Sequence, residues 1–139
     1  MVDREDELFR EFENLFRIKA EWSSRIISEC GLSDMTVRQT AYLRAIDEQG
    51  EMTFSKLAEI TSNSKPTITG MIDRFVQMEC VYREPCPGDK RCMYIHLTEK
   101  GKTVAQAEQA AMRRMIEQIV DTLDEDEMDF LIGILKKIG

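Results

Sequence analysis

Residues 81–101 read VYREPCPGDKRCMYIHLTEKG, from Val81 to Gly101, and the fold turns on them. Side-chain character alternates with a period of two through Val81-Tyr82-Arg83-Glu84-Pro85 and again through Cys92-Met93-Tyr94-Ile95-His96-Leu97. That pattern predicts two strands joined around Gly88-Asp89. A hairpin centred on Asp89 sets Val81 across from Leu97 and Arg83 across from Ile95. Tyr82/His96, Glu84/Tyr94 and Cys86/Cys92 then pair on the other face. Met93, Ile95 and Leu97 share one face, a sensible core pattern. The tip presents Lys90 and Arg91, and Asp89 is expected to pair with the Arg91 guanidinium and hold it for a contact. Thr98 has N-cap chemistry, so a helix is expected from Glu99 to about Val120.

Upstream of the hairpin the apolar period is 3.6. A short helix over about Phe54 to Ile60, capped by Thr53 or Ser55, would bury Leu57, Ala58 and Ile60. The polar turn Thr61-Ser62-Asn63 follows. Ser64 then suits an N-cap, with Pro66 tolerated in the first turn of a helix reaching about Met78. That helix keeps Ile68, Met71, Ile72, Phe75 and Val76 for the core. Two short helices across a brief polar turn have the form of a helix-turn-helix. The polar side of the second offers Ser64, Lys65, Thr67, Thr69 and Arg74, with Ser62 and Asn63 just ahead. These are the short polar and basic groups that a recognition helix presents to the major groove. A basic wing tip can reach the neighbouring minor groove or its phosphates.

The outer segments are helical as well. Arg4 to Cys30 carries Leu8, Phe12, Leu15, Phe16, Ile18, Trp22, Ile26 and Ile27 at helical spacing, and Gly31 suits its end. A second helix from about Thr36 to Gln49 would turn Val37, Tyr42, Leu43 and Ile46 inward, with Gly50 closing it. Asp124 and the acids at 125–127 open a last helix bearing Met128, Phe130, Leu131, Ile134, Leu135 and Ile138. The apolar faces at the two ends exceed what a small winged unit needs, which points to a joint dimerisation layer. The expected division is 1–34 as an N-terminal dimerisation helix, 35–101 as a winged helix-turn-helix and 102–139 as C-terminal dimerisation helices. The expected fold class is mainly α with a small β-hairpin wing.

Composition narrows the function. The formal charge of −7 argues against a non-specific nucleic-acid coat, but residues 65–102 hold 7 bases against 5 acids and form the one net-positive segment. No run approaches the length of a membrane span, and the opening MVDREDELFREFENLF lacks a secretory leader, so a cytoplasmic protein is expected. A single histidine, scattered acids and no nucleotide loop or nucleophile elbow supply no catalytic constellation. Neither an enzyme nor a cofactor is expected. The cysteines at 30, 80, 86 and 92 lack close CxxC pairs and read first as thiols in a reducing compartment. The rival reading has Cys86 and Cys92 meeting across the strands as a redox pair, or as metal ligands helped by Cys80. A protein-interaction or metal-binding module without a DNA role is the alternative of a different class.

This arrangement resembles the MarR family of winged-helix transcription regulators. The family signature is a strand containing arginine, D-x-R at the wing, then a strand leading into L-T-x-x-G. Arg83, Asp89-Lys90-Arg91 and Leu97-Thr98-Glu99-Lys100-Gly101 match in order and spacing. Leu57-Ala58, Ser64, Thr67, Thr69 and Asp73-Arg74 also fit, and the resemblance covers essentially the whole chain. It implies a homodimer with interlocked first and last helices, bound to a palindromic double-stranded operator and usually repressing transcription. It implies recognition-helix roles for Ser64, Thr67, Thr69 and Arg74, and a minor-groove role for Arg91. Release by a small aromatic effector or by cysteine oxidation is the regulation it implies, with Trp22, Arg38 and Tyr42 as candidate effector-pocket residues. Two departures stand out. Glu79 occupies a place where the family usually has glycine, and a left-handed conformation there costs roughly 1 kcal/mol. No cysteine precedes Cys30, so the N-terminal thiol sensor of peroxide-responsive relatives does not carry over.

Overall fold

The computed structural model describes residues 3–139. In chain order the elements are α1 (Arg4–Glu29), α2 (Val37–Gln49), β1 (Met52–Thr53), α3 (Phe54–Thr61), α4 (Lys65–Gln77), β2 (Val81–Pro85), β3 (Met93–Leu97), α5 (Glu99–Ala105), α6 (Ala107–Thr122) and α7 (Glu125–Ile138). They fall into two compact units. One is Arg25–Ala107; the other combines residues 3–24 with 108–139.

Local chemistry starts the helices of the first unit. Thr36 and Gln39 form a capping box before α2, and the Thr53 hydroxyl accepts the Lys56 N–H at 3.1 Å before α3. Ser62, at φ 56°, closes α3 in the left-handed region. Asn63 follows, and Ser64 caps α4 by accepting the Thr67 N–H at 3.3 Å. The helix-turn-helix is therefore α3, three turn residues and α4. Ile68, Ile72 and Phe75 of α4 are fully buried with Leu43, Leu57, Met52, Ile95 and Val104. Burying each such side chain stabilises the unit by about 1.5–3 kcal/mol, which holds the inner face of α4 while its polar face stays in solvent. Val37 is not inward: it is 88% exposed, and the first buried position of α2 is Thr40, whose hydroxyl donates to the Thr36 carbonyl at 3.1 Å. Ile60 and Val76 are likewise exposed, because they sit at the margin of their helices' buried stripes.

The wing is larger than a hairpin. β2 and β3 pair in the expected antiparallel register, from Val81↔Leu97 through Arg83↔Ile95 to Pro85↔Met93. A third strand joins them: β1 pairs with β3 through Met52↔Ile95 and Thr53↔Tyr94, in the order β1-β3-β2. Two residues are too few to show an alternation, so this strand leaves no periodic trace in the sequence. At the other end of β2, Glu79 does adopt a left-handed conformation, at φ 62°. The turn it makes is docked on the start of α5. The Thr98 hydroxyl donates to the Glu79 carbonyl at 2.6 Å, and the Thr98 N–H donates to the Cys80 carbonyl at 2.9 Å. Gly101, whose N–H donates to the Thr98 hydroxyl at 3.0 Å, lies against that same Cys80 carbonyl with no room for a side chain.

The helix expected from Glu99 to Val120 is two helices. Gln106, at φ −96° and ψ 4°, separates α5 from α6, and its side-chain amide donates to Asp47 at 3.3 Å. In the second unit, the buried Ser23 hydroxyl donates to Glu108 at 3.0 Å, and Lys19 pairs with the same carboxylate at 3.1 Å. Asp124 and Glu127 form a capping box for α7. No residue of α7 is buried, and Phe130, Leu135 and Ile138 are exposed along it. On α1, Leu8, Phe9, Phe12 and Phe16 are exposed too. No helix among the described residues is long and apolar enough to cross a membrane.

Candidate nucleic-acid interface

The first turn of α4 is built by hydroxyls bonding to one another. Ser64 caps the helix and its Oγ lies 2.8 Å from the Thr67 hydroxyl, so Ser64 shapes the helix end as much as it faces outward. Lys65, Pro66, Thr67, Thr69, Gly70 and Arg74 are all exposed on this helix. Pro66 removes one N–H from a turn whose amides would otherwise be unsatisfied, which suits the open N-terminal end. Ser62 is exposed in the preceding turn. Asn63 is half-buried and donates its amide to the Tyr42 phenol oxygen at 2.8 Å.

The tip of the wing is closed by its own backbone. Gly88 takes φ 80°, the Cys86 N–H donates to the Cys92 carbonyl at 3.0 Å, and the Cys92 N–H donates to the Asp89 carbonyl at 3.3 Å. Asp89 does not pair with the Arg91 guanidinium. Its carboxylate accepts the Arg91 backbone N–H at 2.9 Å, two residues on, as aspartate does in tight turns. The guanidinium is left exposed, as is Lys90.

Helix and wing share one groove. Lys65 and Thr69 of α4 and Asp89, Arg91, Cys92 and Met93 of the wing line an open depression of ≈ 490 Å³, completed by Thr53, Phe54 and Ser55. Among the described residues no carboxylate forms an ion pair with Lys65, Arg74, Lys90 or Arg91. Arg83, by contrast, is bound: it pairs with Asp73 of α4 while its guanidinium carbon lies 5.9 Å from the Phe54 ring centroid. This pair ties strand β2 to α4 and sets the wing beside the helix. Both partners belong to the motif noted in the sequence, but their pairing does not show there, because ten residues and a reversal separate them. Thr53, Phe54 and Ser55 are groove residues the sequence reading missed. They reach the wing through the β1–β3 pairing.

The cysteines depart from the thiol expectation. Cys86 and Cys92 form a disulfide across the base of the tip, with Cα atoms 5.2 Å apart, because the register brings them opposite one another. Cys30 and Cys80 are free, and Cys80 is completely buried. Burial pushes the Cys80 thiol above its ordinary range, with Lys100 opposing the shift, so it is a poor nucleophile and a poor ligand. The single histidine, His96, has Nε2 2.7 Å from Glu84 and stacks on Tyr82 rather than joining the cysteines. Among the described residues no group of three or more His, Cys, Asp or Glu side chains is placed to hold a metal.

The three residues expected at an effector pocket are divided between the two units. Trp22 belongs to the unit formed by the chain ends, with the Arg114 guanidinium 5.4 Å from its ring centroid. Arg38 and Tyr42 belong to the other unit, where Arg38 Nε donates to the Tyr42 phenol oxygen at 3.1 Å. The Arg38 bond lowers the Tyr42 pKa, against an opposing effect of partial burial.

Comparison with known proteins agrees with this geometry. The model of the MarR family matches residues 35–93. The chain is 31% identical over 140 residues to the uncharacterized HTH-type transcriptional regulator YkoM of Bacillus subtilis strain 168, covering 99% of this chain and 88% of that one. Among solved structures, apo wild-type MarR from E. coli is 27% identical, with a TM-score of 0.53 over 91% of this chain and 95% of that one. The S. aureus MepR–DNA complex is 22% identical, with a TM-score of 0.70 over 95% of each chain, and so shares the fold. With α4 and its wing facing one groove and a relative matched along nearly its full length, the chain belongs to the MarR family of DNA-binding winged helix-turn-helix transcriptional regulators.

Proposed function

We propose that the protein is a homodimeric repressor of a palindromic double-stranded operator, released by a small aromatic effector. Residues 35–101 form its DNA-binding domain, and 1–34 with 102–139 its dimerisation segments. Helix α4 enters the major groove with Ser64, Lys65, Thr67, Thr69 and Arg74, the Ser62-Asn63 turn standing at the groove edge. Lys90 and Arg91 reach the adjacent minor groove or its phosphates, with Asp89 holding the tip through the backbone. The observation that carries the reading is the shared groove of Lys65, Thr69 and Arg91, whose cations have no carboxylate partner among the described residues. The exposed apolar faces of α1 and α7 support the dimer, since leaving them in water forfeits about 25 cal/mol per Å². The MepR structure bound to an oligodeoxyribonucleotide supports the DNA partner by analogy of fold.

The test is a genomic-fragment selection with the full-length protein, followed by gel-shift titration of the selected duplex. Arg91→Ala should weaken binding roughly 10- to 100-fold, about 1–3 kcal/mol, while sedimentation still shows a dimer. Unchanged affinity would remove the wing from the interface. One observation favours a second reading, thiol-responsive regulation: the Cys86–Cys92 disulfide closes the segment that carries Lys90 and Arg91. A dithiol reductant delivers two electrons and two protons to the cystine, giving two thiols, and itself closes to a cyclic disulfide. In this reading the reduced and oxidised proteins differ several-fold in operator affinity, and equal affinities would eliminate it.

A further inference from the structure

Helix α2 begins beside the turn that precedes the recognition helix, and three side chains connect the two. Arg38 is the second residue of α2 and is exposed. Tyr42 lies one turn on, half-buried. Its phenol oxygen accepts from Arg38 Nε at 3.1 Å and from Asn63 Nδ2 at 2.8 Å. The Arg38 guanidinium carbon also sits 5.6 Å from the Tyr42 ring centroid. Asn63 is the residue immediately before the Ser64 cap of α4, and its own N–H is bound to the Ala58 carbonyl at 3.0 Å. The relay therefore runs from a fixed turn through a phenol to a guanidinium.

What the relay leaves open matters more than what it binds. Nε is the anchored atom, so both terminal nitrogens of Arg38 keep their N–H donors, and among the described residues no carboxylate pairs with them. A cation held by one edge with its fork facing solvent suits bidentate binding of an anion with paired oxygens. The open end of α4 is beside it, where a helix N-terminus favours negative charge.

We infer that Arg38 is a further DNA contact, a phosphodiester clamp that Tyr42 holds against the turn preceding the recognition helix. Tyr42 and Asn63 are its positioning residues. The inference rests on the reading of α4 as the DNA-facing helix. The clamp grips the backbone, so it contributes to affinity for any sequence and leaves base selection to α4.

Salt dependence tests this directly, because each phosphate contact contributes about 0.9 to the slope of log K against log salt on duplex DNA. The full-length protein is titrated against a fluorescent mixed-sequence duplex by anisotropy across a series of KCl concentrations. Arg38→Gln keeps an amide able to reach Tyr42 but removes the charge, and its slope should be shallower by about 0.9 for each clamp lost. Arg38→Lys keeps the charge and should retain the slope, with weaker binding because the fork is gone. Tyr42→Phe frees the guanidinium and should weaken binding at each salt concentration while the fold, followed by circular dichroism, is unchanged. A wild-type slope in Arg38→Gln overturns the clamp, whether or not affinity falls, since the relay would then only pack α2 on the turn. Absence of salt-dependent binding by the wild-type protein would instead remove the DNA-facing reading of α4, and the clamp with it.

Discussion

Replacing Gly101 by alanine sets two opposed effects against each other at one atom. Gly101 lies in the first turn of α5, where alanine is intrinsically better than glycine by about 1 kcal/mol. Its Cβ, however, would overlap the Cys80 carbonyl oxygen and sit 2.9 Å from the carbonyl carbon. The obstacle is backbone, not the end of a flexible side chain, and that oxygen already accepts the Thr98 N–H. The start of α5 must move away. Overpacking of this kind costs about 1–3 kcal/mol. The same movement stretches the bonds from Thr98 to the Cys80 and Glu79 carbonyls, each worth about 1 kcal/mol. Net destabilisation of about 2–3 kcal/mol follows, a fall in the thermal midpoint of roughly 6–12 °C. Gly70→Ala supplies the contrast: it is also helical, but nothing lies within 4 Å of its added Cβ, so it should gain up to about 1 kcal/mol. Both variants are compared with wild type by thermal and urea unfolding at one protein concentration, because association shifts apparent stability. If Gly101→Ala equals or exceeds the wild-type stability, the close approach assigned to the L-T-x-x-G motif is wrong.

Three further substitutions examine the wing's attachment. Glu79→Gly removes a left-handed strain of about 1 kcal/mol but adds a comparable unfolded-chain entropy, so urea unfolding should place it within about 0.5 kcal/mol of wild type. A loss above 1 kcal/mol would mean that the Glu79 side chain stabilises the turn in a way its exposure does not show. Arg83→Gln breaks the partly exposed pair with Asp73 and should cost less than about 1 kcal/mol of stability, yet it should lower DNA affinity by freeing the wing from α4. Combined with Asp73→Asn it should show no additional loss of affinity; additive losses would mean that the two residues act separately.

Periodicity and cap chemistry made most of the secondary structure legible. Ser64, Thr98 and Asp124 start α4, α5 and α7, as their hydroxyl and carboxylate oxygens predict. The strand register from Val81↔Leu97 onward follows from alternation, since a one-residue slip would turn Ile95 out of the core. Even the strained Glu79 was visible as a departure from a pattern requiring glycine. The basic tip and the polar face of α4 were legible because charge and short hydroxyls are properties of composition, independent of where the chain goes.

Partnership was not legible. Asp89 could satisfy either the guanidinium or the backbone N–H of Arg91, and only the geometry of the turn selected the latter. The register did set Cys86 opposite Cys92, but it left thiols and disulfide both open, and only the structure closes the bond, with Cα atoms 5.2 Å apart. The third strand needs Met52 to find Ile95 across more than forty residues, and two residues carry no period to announce it. Arg38, Tyr42 and Asn63 come from two segments joined only when α2 packs beside the turn before α4. The sequence alone determined which elements form, and which carry charge, because propensity and pattern act over a few residues. Tertiary structure alone decided which polar groups satisfy one another and which remain open, because hydrogen bonds and ion pairs act between atoms a few ångströms apart that the chain brings together from a distance.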